Sequence, residues 1–191
     1  MKVRDSGMPG QDYWESLFDV TGILDALQVN SSLGDVVEVG CGYGTFTLPV
    51  ARRIRGTLHA FDIDPAMVAS TRQRISQGGA ANVRVERRDV LAQGFALPAS
   101  SVDAVLLFNI LHAHNPVQLL RDSAAQVRPG GQLLVIHWRS DVATPRGPDL
   151  SIRPTPAQIA TWAAEAGGLA AVRPAQTVQP WHFAMSLQRL V

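Results

Sequence analysis

Strand-length apolar runs return along this chain at intervals that leave room for a helix between them, and that alternation restricts the fold more than any other feature. The runs are Asp35–Val39, Thr57–Asp62, Asn82–Glu86, Val102–Phe108 and Gln132–Ile136. The first, fourth and fifth are nearly continuous in Val, Leu and Ile, as strands covered on both faces are. Helix starts between the runs share one device. Asp64-Pro65, Asn115-Pro116 and Thr155-Pro156 each set a capping side chain before a proline. The cap oxygen takes an orphan N–H, and proline suits the first helical turn. Gly56, Gly78-Gly79, Pro129-Gly130-Gly131 and Gly167-Gly168 mark the stops. The expected fold class is α/β, a doubly wound and mostly parallel sheet with helices on both faces.

The flanks read differently. Gln11 to Val29 predicts one amphipathic helix, with Leu17, Val20, Leu24 and Leu27 at helical spacing. In the tail, Trp181, Phe183, Met185 and Leu187 alternate with His182, Ala184, Ser186 and Gln188. That pattern predicts a half-buried strand, preceded by a weaker one near Leu169 to Arg173. Arg139 to Pro154 is long for a loop and holds three prolines, Pro145, Pro148 and Pro154; long loops in compact domains are often functional. No internal repeat and no second domain are visible, so residues 1–191 read as a single domain.

Composition narrows the class. With 46% apolar and 17% charged residues the chain can build a core, which argues against disorder. Seventeen basic side chains face sixteen acidic ones, a net charge of +1 that leaves no electrostatic footprint for nucleic acid. Cys41 is the only cysteine, so no internal disulfide forms, which fits a reducing compartment. The first eleven residues carry no signal-type apolar run, and no stretch reaches the roughly 18 apolar residues of a membrane span. A soluble cytoplasmic protein is expected.

After the first strand comes Glu38-Val39-Gly40-Cys41-Gly42-Tyr43-Gly44-Thr45. Glycines here let the backbone turn sharply and approach a ligand closely. Such a loop also suits a dinucleotide, but a dinucleotide fingerprint wants its third glycine where Thr45 stands, and Glu38 would repel a pyrophosphate. Asp62 ends the second strand, where a carboxylate accepts from both hydroxyls of a ribose. Asp64 is the expected helix cap. Asp89 follows the third strand. Glu38, Asp62 and Asp89 thus each sit at or near a strand's carboxyl end, the binding edge of an open parallel sheet.

On these residues the chain resembles the class I S-adenosylmethionine (SAM)-dependent methyltransferases, the ubiquinone-biosynthesis-type or type 11 branch in particular. The likeness covers about residues 33 to 138 strongly and extends through Phe108-Asn109-Ile110-Leu111-His112 and Val127-Arg-Pro-Gly-Gly131. It implies a Rossmann-like seven-stranded sheet with an antiparallel last strand. Residues 11–29 would be an N-terminal helix, 33–138 the cofactor core, and 139–191 a substrate-side loop, last helix and C-terminal strands. It also implies that SAM is the cofactor and S-adenosylhomocysteine the product. Gly40, Cys41, Gly42 and Gly44 would wrap the methionine part, with Glu38 ordering the loop or meeting the amino end. Asp62 and Ile63 would serve the ribose, Asp89 and Val90 the adenine, and Asn109 and Ile110 the side of the sulfonium.

The acceptor side is less defined. His112 and His137, with Asn109, are the candidate catalytic residues, because a histidine can deprotonate a hydroxyl; each has a structural reading beside it. His114 is a weaker candidate. Arg146 and Arg153 are candidate anchors for an anionic substrate by bidentate contacts, or braces of their own loop. Tyr13 and Trp14 are candidates to close over the site, and Trp181 and His182 to help form the pocket. No metal site is expected, since no carboxylate or cysteine stands at ligand spacing beside the histidines. The expected function is methyl transfer to a small-molecule acceptor, with no nucleic acid partner, no membrane span, and a homodimer compatible with the sequence. A nucleotide-dependent oxidoreductase, a non-catalytic SAM-binding regulator or partner subunit, and a methyltransferase of macromolecules are the alternatives.

Overall fold

A computed structural model describes residues 9–178 and 180–191. Its central strands are β1 (Val36–Val39), β2 (Leu58–Asp62), β3 (Val83–Arg87), β4 (Val102–Phe108) and β5 (Val127–Trp138). The tail adds β6 (Leu169–Ala171), β7 (Gln176–Val178) and β8 (His182–Arg189). The helices are α1 (Gln11–Glu15), α2 (Val20–Ala26), α3 (Thr47–Ala51), α4 (Pro65–Gly78), α5 (Val90–Gln93), α6 (Pro116–Gln126) and α7 (Pro156–Ala166). Strand order is β3-β2-β1-β4-β5-β8-β6, with β7 also paired to β8. β1 to β5 are parallel, and β8 runs against β5, β6 and β7. The sheet therefore has eight strands where seven are expected. The seven positions are present, but the last is shared by two short pieces, because the chain bends away from β8 between Ala171 and Gln176.

The doubly wound form follows from side-chain alternation. Val37, Val105, Leu107, Leu133 and Val135 point to one face, where α6 and α7 cover them with Leu119, Leu120, Ile159 and Ala163. Val36, Ala104, Leu106, Leu134 and Ile136 point to the other, against Ile23 and Leu24 of α2 and Val50 of α3. The proline-marked starts do hold α4, α6 and α7. Asp64, Asn115 and Thr155 cap them through their side chains, and Thr155 with Gln158 forms a full capping box.

Three elements differ from their sequence patterns. The N-terminal helix is two short ones, because Asp19 accepts from the Gly22 N–H at 2.9 Å and starts α2 afresh. β8 is buried on both faces, with His182, Ala184 and Ser186 as enclosed as Phe183, Met185 and Leu187. It lies inside the sheet, with β5 on one side and β6 and β7 on the other, so alternation along it separates two covered faces instead of core from water. β5 begins at Val127, five residues before its apolar run; the glycine pair sits in an irregular entry, where the partner register jumps between Val102 and Ala104.

Registers set the strand ends on one rim. Val39 pairs with Phe61 and Leu107, and Phe108 with Ile136. Since β8 is reversed, it is its first residue, His182, that reaches this rim, opposite Trp138. Leu106, at the centre of this register and fully buried, tests the packing. Leu106→Ala is expected to lower unfolding free energy by about 2–5 kcal/mol, read as a shift in the denaturant midpoint with an unchanged slope.

Candidate functional site

The glycine loop is held from three directions. Its entry is pinned to β2, since the N–H groups of Gly40 and Cys41 both donate to the Phe61 carbonyl, at 2.7 and 3.1 Å. Its middle is held by Asp62, whose Oδ2 accepts from the Gly42 N–H at 2.8 Å while its Oδ1 accepts from the Asp64 N–H at 2.9 Å. Its far side meets α4, where the Thr71 hydroxyl donates to the Gly42 carbonyl at 2.7 Å. Gly44 has φ +74°, and a Cβ there would lie 3.2 Å from Thr71 Oγ1 and 3.3 Å from Arg74 Cδ. The third glycine is thus required by close packing on α4. Gly40, at φ +78°, is exposed, and a Cβ would meet only Ile110 Cγ2 within 4 Å. A bare, left-handed backbone at the end of β1 is what a ligand lying against it needs.

Glu38 lies beneath this loop, 2% exposed, and accepts from the Thr47 hydroxyl of α3 at 2.6 Å. Burial pushes its carboxyl up to about 8; the Thr47 bond opposes that rise and the Asp62 charge adds to it. Asp62, half-buried, is also raised by burial, against the backbone N–H bonds that favour its charged form. Burial likewise pushes up the Cys41 thiol, which packs with Ala60, Val68, Ile75 and Val85 as a small core residue. Asp89 caps α5, its Oδ1 accepting from Leu91 and Ala92 at 3.1 and 3.2 Å, and Val90 behind it is buried. Ile63 is exposed, and its carbonyl accepts from Arg87.

The other half of the rim is built around the tip of β4. Asn109 has φ +58°, a region asparagine tolerates better than most residues. Its Nδ2 lies 3.4 Å from His182 Nε2, while its Oδ1 and His182 Nδ1 are buried without a hydrogen-bond partner among the described residues. His182 is enclosed by aromatic rings, stacked on Phe18 at 4.7 Å and tilted on Trp138 at 4.1 Å. Trp14 packs edge-on against Trp138 at 6.3 Å. The N-terminal segment therefore reaches the rim and is tied down at its ends. Tyr43 of the glycine loop donates to the Pro9 carbonyl at 2.9 Å, and Arg74 of α4 pairs with Glu15. Tyr13, nearly half exposed, makes no ring contact of this kind among the described residues.

On the opposite face of the sheet, His112 Nδ1 lies 3.3 Å from His137 Nε2, and His137 Nδ1 lies 3.2 Å from the Trp138 carbonyl. Burial keeps both rings neutral, lowering His112 and taking His137 down to about 3. Burial does the same to His182, also to about 3. His114 is exposed on the turn before α6, and Trp181 is half-buried, its carbonyl accepting from the Arg139 N–H.

Arg153 is buried, and its guanidinium donates to the carbonyls of Pro148 (2.8 Å), Arg139 (2.9 Å) and Arg146 (3.3 Å). It folds the 139–154 loop around itself, and these bonds take up the fork that an anionic substrate would need. The Arg146 side chain is exposed. Thr47, Thr71, Tyr43 and Phe18 complete the site without having been singled out by sequence. Only Phe18, an aromatic beside the amphipathic positions of the N-terminal segment, carried any signal there.

The geometry suits an adenosyl amino acid: bare backbone at Gly40, a carboxylate at the end of β2, and an unsatisfied buried oxygen on Asn109 at the adjoining strand. Comparison with known proteins agrees. Residues 36–131 match the family described as a methyltransferase domain. The aklanonic acid methyltransferase DauC of Streptomyces sp. (strain C5) is 29% identical over 101 residues, 51% of this chain and 45% of that protein. A ribosomal protein L11 methyltransferase of Geobacter metallireducens is 31% identical over 135 residues, 66% of this chain and 40% of that protein. The chain thus spans less than half the length of these curated relatives. Among solved structures, a SAM-dependent methyltransferase from Aquifex aeolicus superposes with a TM-score of 0.81 at 20% identity, covering 99% of this chain and 97% of that one. The chain belongs to the methyltransferase domain family, and its fold is that of SAM-dependent methyltransferases of known structure.

Glu38 has a measurable consequence. Its folded pKa lies above the ordinary 4.5, so the stability it gives is fully present below about pH 4.5 and is lost as pH rises through about 8. Glu38→Gln keeps an acceptor for Thr47 and removes the titration. The variant's melting temperature is expected to gain on the wild type between pH 5 and pH 9, as thermal unfolding at the two values would show.

Proposed function

We propose that the protein transfers the methyl group of SAM to a small-molecule acceptor. The observation that carries the acceptor class is the aromatic block of Trp14, Phe18, Trp138 and His182. It stands beside Asn109 and backs one side of the rim with this chain's own N-terminal segment, β5 and β8, while the loop after β4 that carries His112 borders the other. Such a wall suits a compact, largely apolar acceptor better than an extended polymer, and the near-zero net charge of the chain supports the same reading.

In this reading Gly40, Cys41 and Gly42 lie along the methionine part of the cofactor, and Gly44 holds the loop to α4. Glu38 orders the loop through Thr47. Asp62, with Ile63 beside it, takes the ribose hydroxyls, Asp89 and Val90 the adenine, and Asn109 and Ile110 flank the sulfonium side. Bound SAM supplies a methyl carbon already activated by positive sulfur. The protein then has mainly to align the acceptor, and alignment of this kind is worth several kcal/mol.

Two measurements test the reading. Asp62→Ala removes a charge-assisted acceptor worth about 1.5–3 kcal/mol and is expected to weaken binding of S-adenosylhomocysteine roughly 10- to 100-fold by calorimetry. An unchanged affinity in a folded variant refutes the ribose assignment. With methyl-labelled SAM, the label is expected in small hydroxyl, amine or thiol acceptors from a mixed panel. Label appearing only in added ribosomal protein would replace the small-molecule acceptor with a protein one.

A further inference from the structure

The two histidines at the ends of β4 and β5 form an ordered chain of hydrogen bonds, and its direction can be read from chemistry. A carbonyl oxygen only accepts, so the 3.2 Å contact from His137 Nδ1 to Trp138 O places His137's proton on Nδ1. That imidazole is fully buried and neutral, so its Nε2 is a lone pair. The lone pair faces His112 Nδ1 at 3.3 Å, which must therefore carry the proton. What remains on His112 is the Nε2 lone pair, on a partly exposed ring three residues beyond Asn109.

We propose that His137 is a positioning residue that locks His112 in its Nδ1–H tautomer, so that His112 Nε2 serves as general base for an acidic hydroxyl acceptor, a phenol or an enol. The proposal rests on the methyl-transfer reading above and deepens it. His112 Nε2 takes the hydroxyl proton as the acceptor oxygen bonds to the methyl carbon. The electron pair of the broken carbon–sulfur bond stays on sulfur, and the proton leaves His112 to solvent. The acceptor class follows from what surrounds the pair. His137 has only a carbonyl behind it, and among the described residues no carboxylate bonds either ring. The charged group acting on both is a cation, Arg153, with Asp149 acting on Arg153. Beyond it, His182 is neutral. An imidazolium formed here is opposed by Arg153, so the pair suits acceptors that give up their proton readily.

The tautomer is read directly by long-range proton–nitrogen NMR on the ligand-free chain with labelled histidine. His112 is expected with Nδ1 protonated and Nε2 bare. His137→Gln, whose amide can accept from His112 and donate to the Trp138 carbonyl, is expected to keep that state. His137→Phe is expected to release His112 toward Nε2–H. A proton on His112 Nε2 in the wild type overturns the proposal whether or not the Phe variant folds, as does one tautomer common to all three proteins. The second arm uses phenol and 4-nitrophenol, the latter largely ionised near neutral pH. His112→Ala is expected to lose at least ~10-fold more kcat/KM on phenol than on 4-nitrophenol, within the range of general-base effects. Equal losses overturn the base assignment. No transfer by the wild type to either phenol overturns the acceptor class, and if amines or thiols are methylated instead, the methyl-transfer reading survives without it.

Discussion

The carboxylate of Asp62 is the contact on which the rest of the rim depends. Its two oxygens accept from the amides of Gly42 and Asp64, and so join the end of β2, the glycine loop and the start of α4 in one unit. Backbone N–H groups left unpaired at such a turn would be costly. Thr71 closes the unit from the other side through the Gly42 carbonyl. The loop can therefore expose bare backbone at Gly40 without losing its shape.

Much of this was legible in the sequence because the signals are local. The Asp64-Pro65, Asn115-Pro116 and Thr155-Pro156 pairs mark helix starts wherever they occur, and the continuous Val and Leu runs reveal β1, β4 and β5 as central strands. The spacing of Gly40, Gly42 and Gly44 shows a loop that must approach something closely. The illegible parts are long-range. Nothing near Ser186 indicates that β8 is covered on both faces, since that depends on β6 and β7 pairing along its far side. The break between α1 and α2 is made by the Asp19 cap, and the turn there sets Phe18 against His182, a residue far along the chain. Arg153 reads in sequence as either an anion anchor or a brace of its own loop, and its three carbonyl partners come from residues that only the folded loop brings together.

Burial treats the site's acids and bases differently from their sequence appearance. Glu38, Asp62, His112, His137 and His182 are all displaced toward their neutral forms by the same cause, removal from water. These groups stand among oriented backbone dipoles, the Gly42 and Asp64 N–H groups on Asp62 among them.

The reversal of β8 has an evolutionary consequence. Because that strand enters the rim with its first residues, the proposed acceptor side draws on the two flanks of the chain, residues 9–18 and 181–183, together with the 139–154 loop. The proposed cofactor side runs from Glu38 to Val90 and takes in Asn109 and Ile110. The two regions meet through Tyr43 and Pro9 and through Arg74 and Glu15, so an acceptor preference changed by editing the outer segments has to keep those two ties.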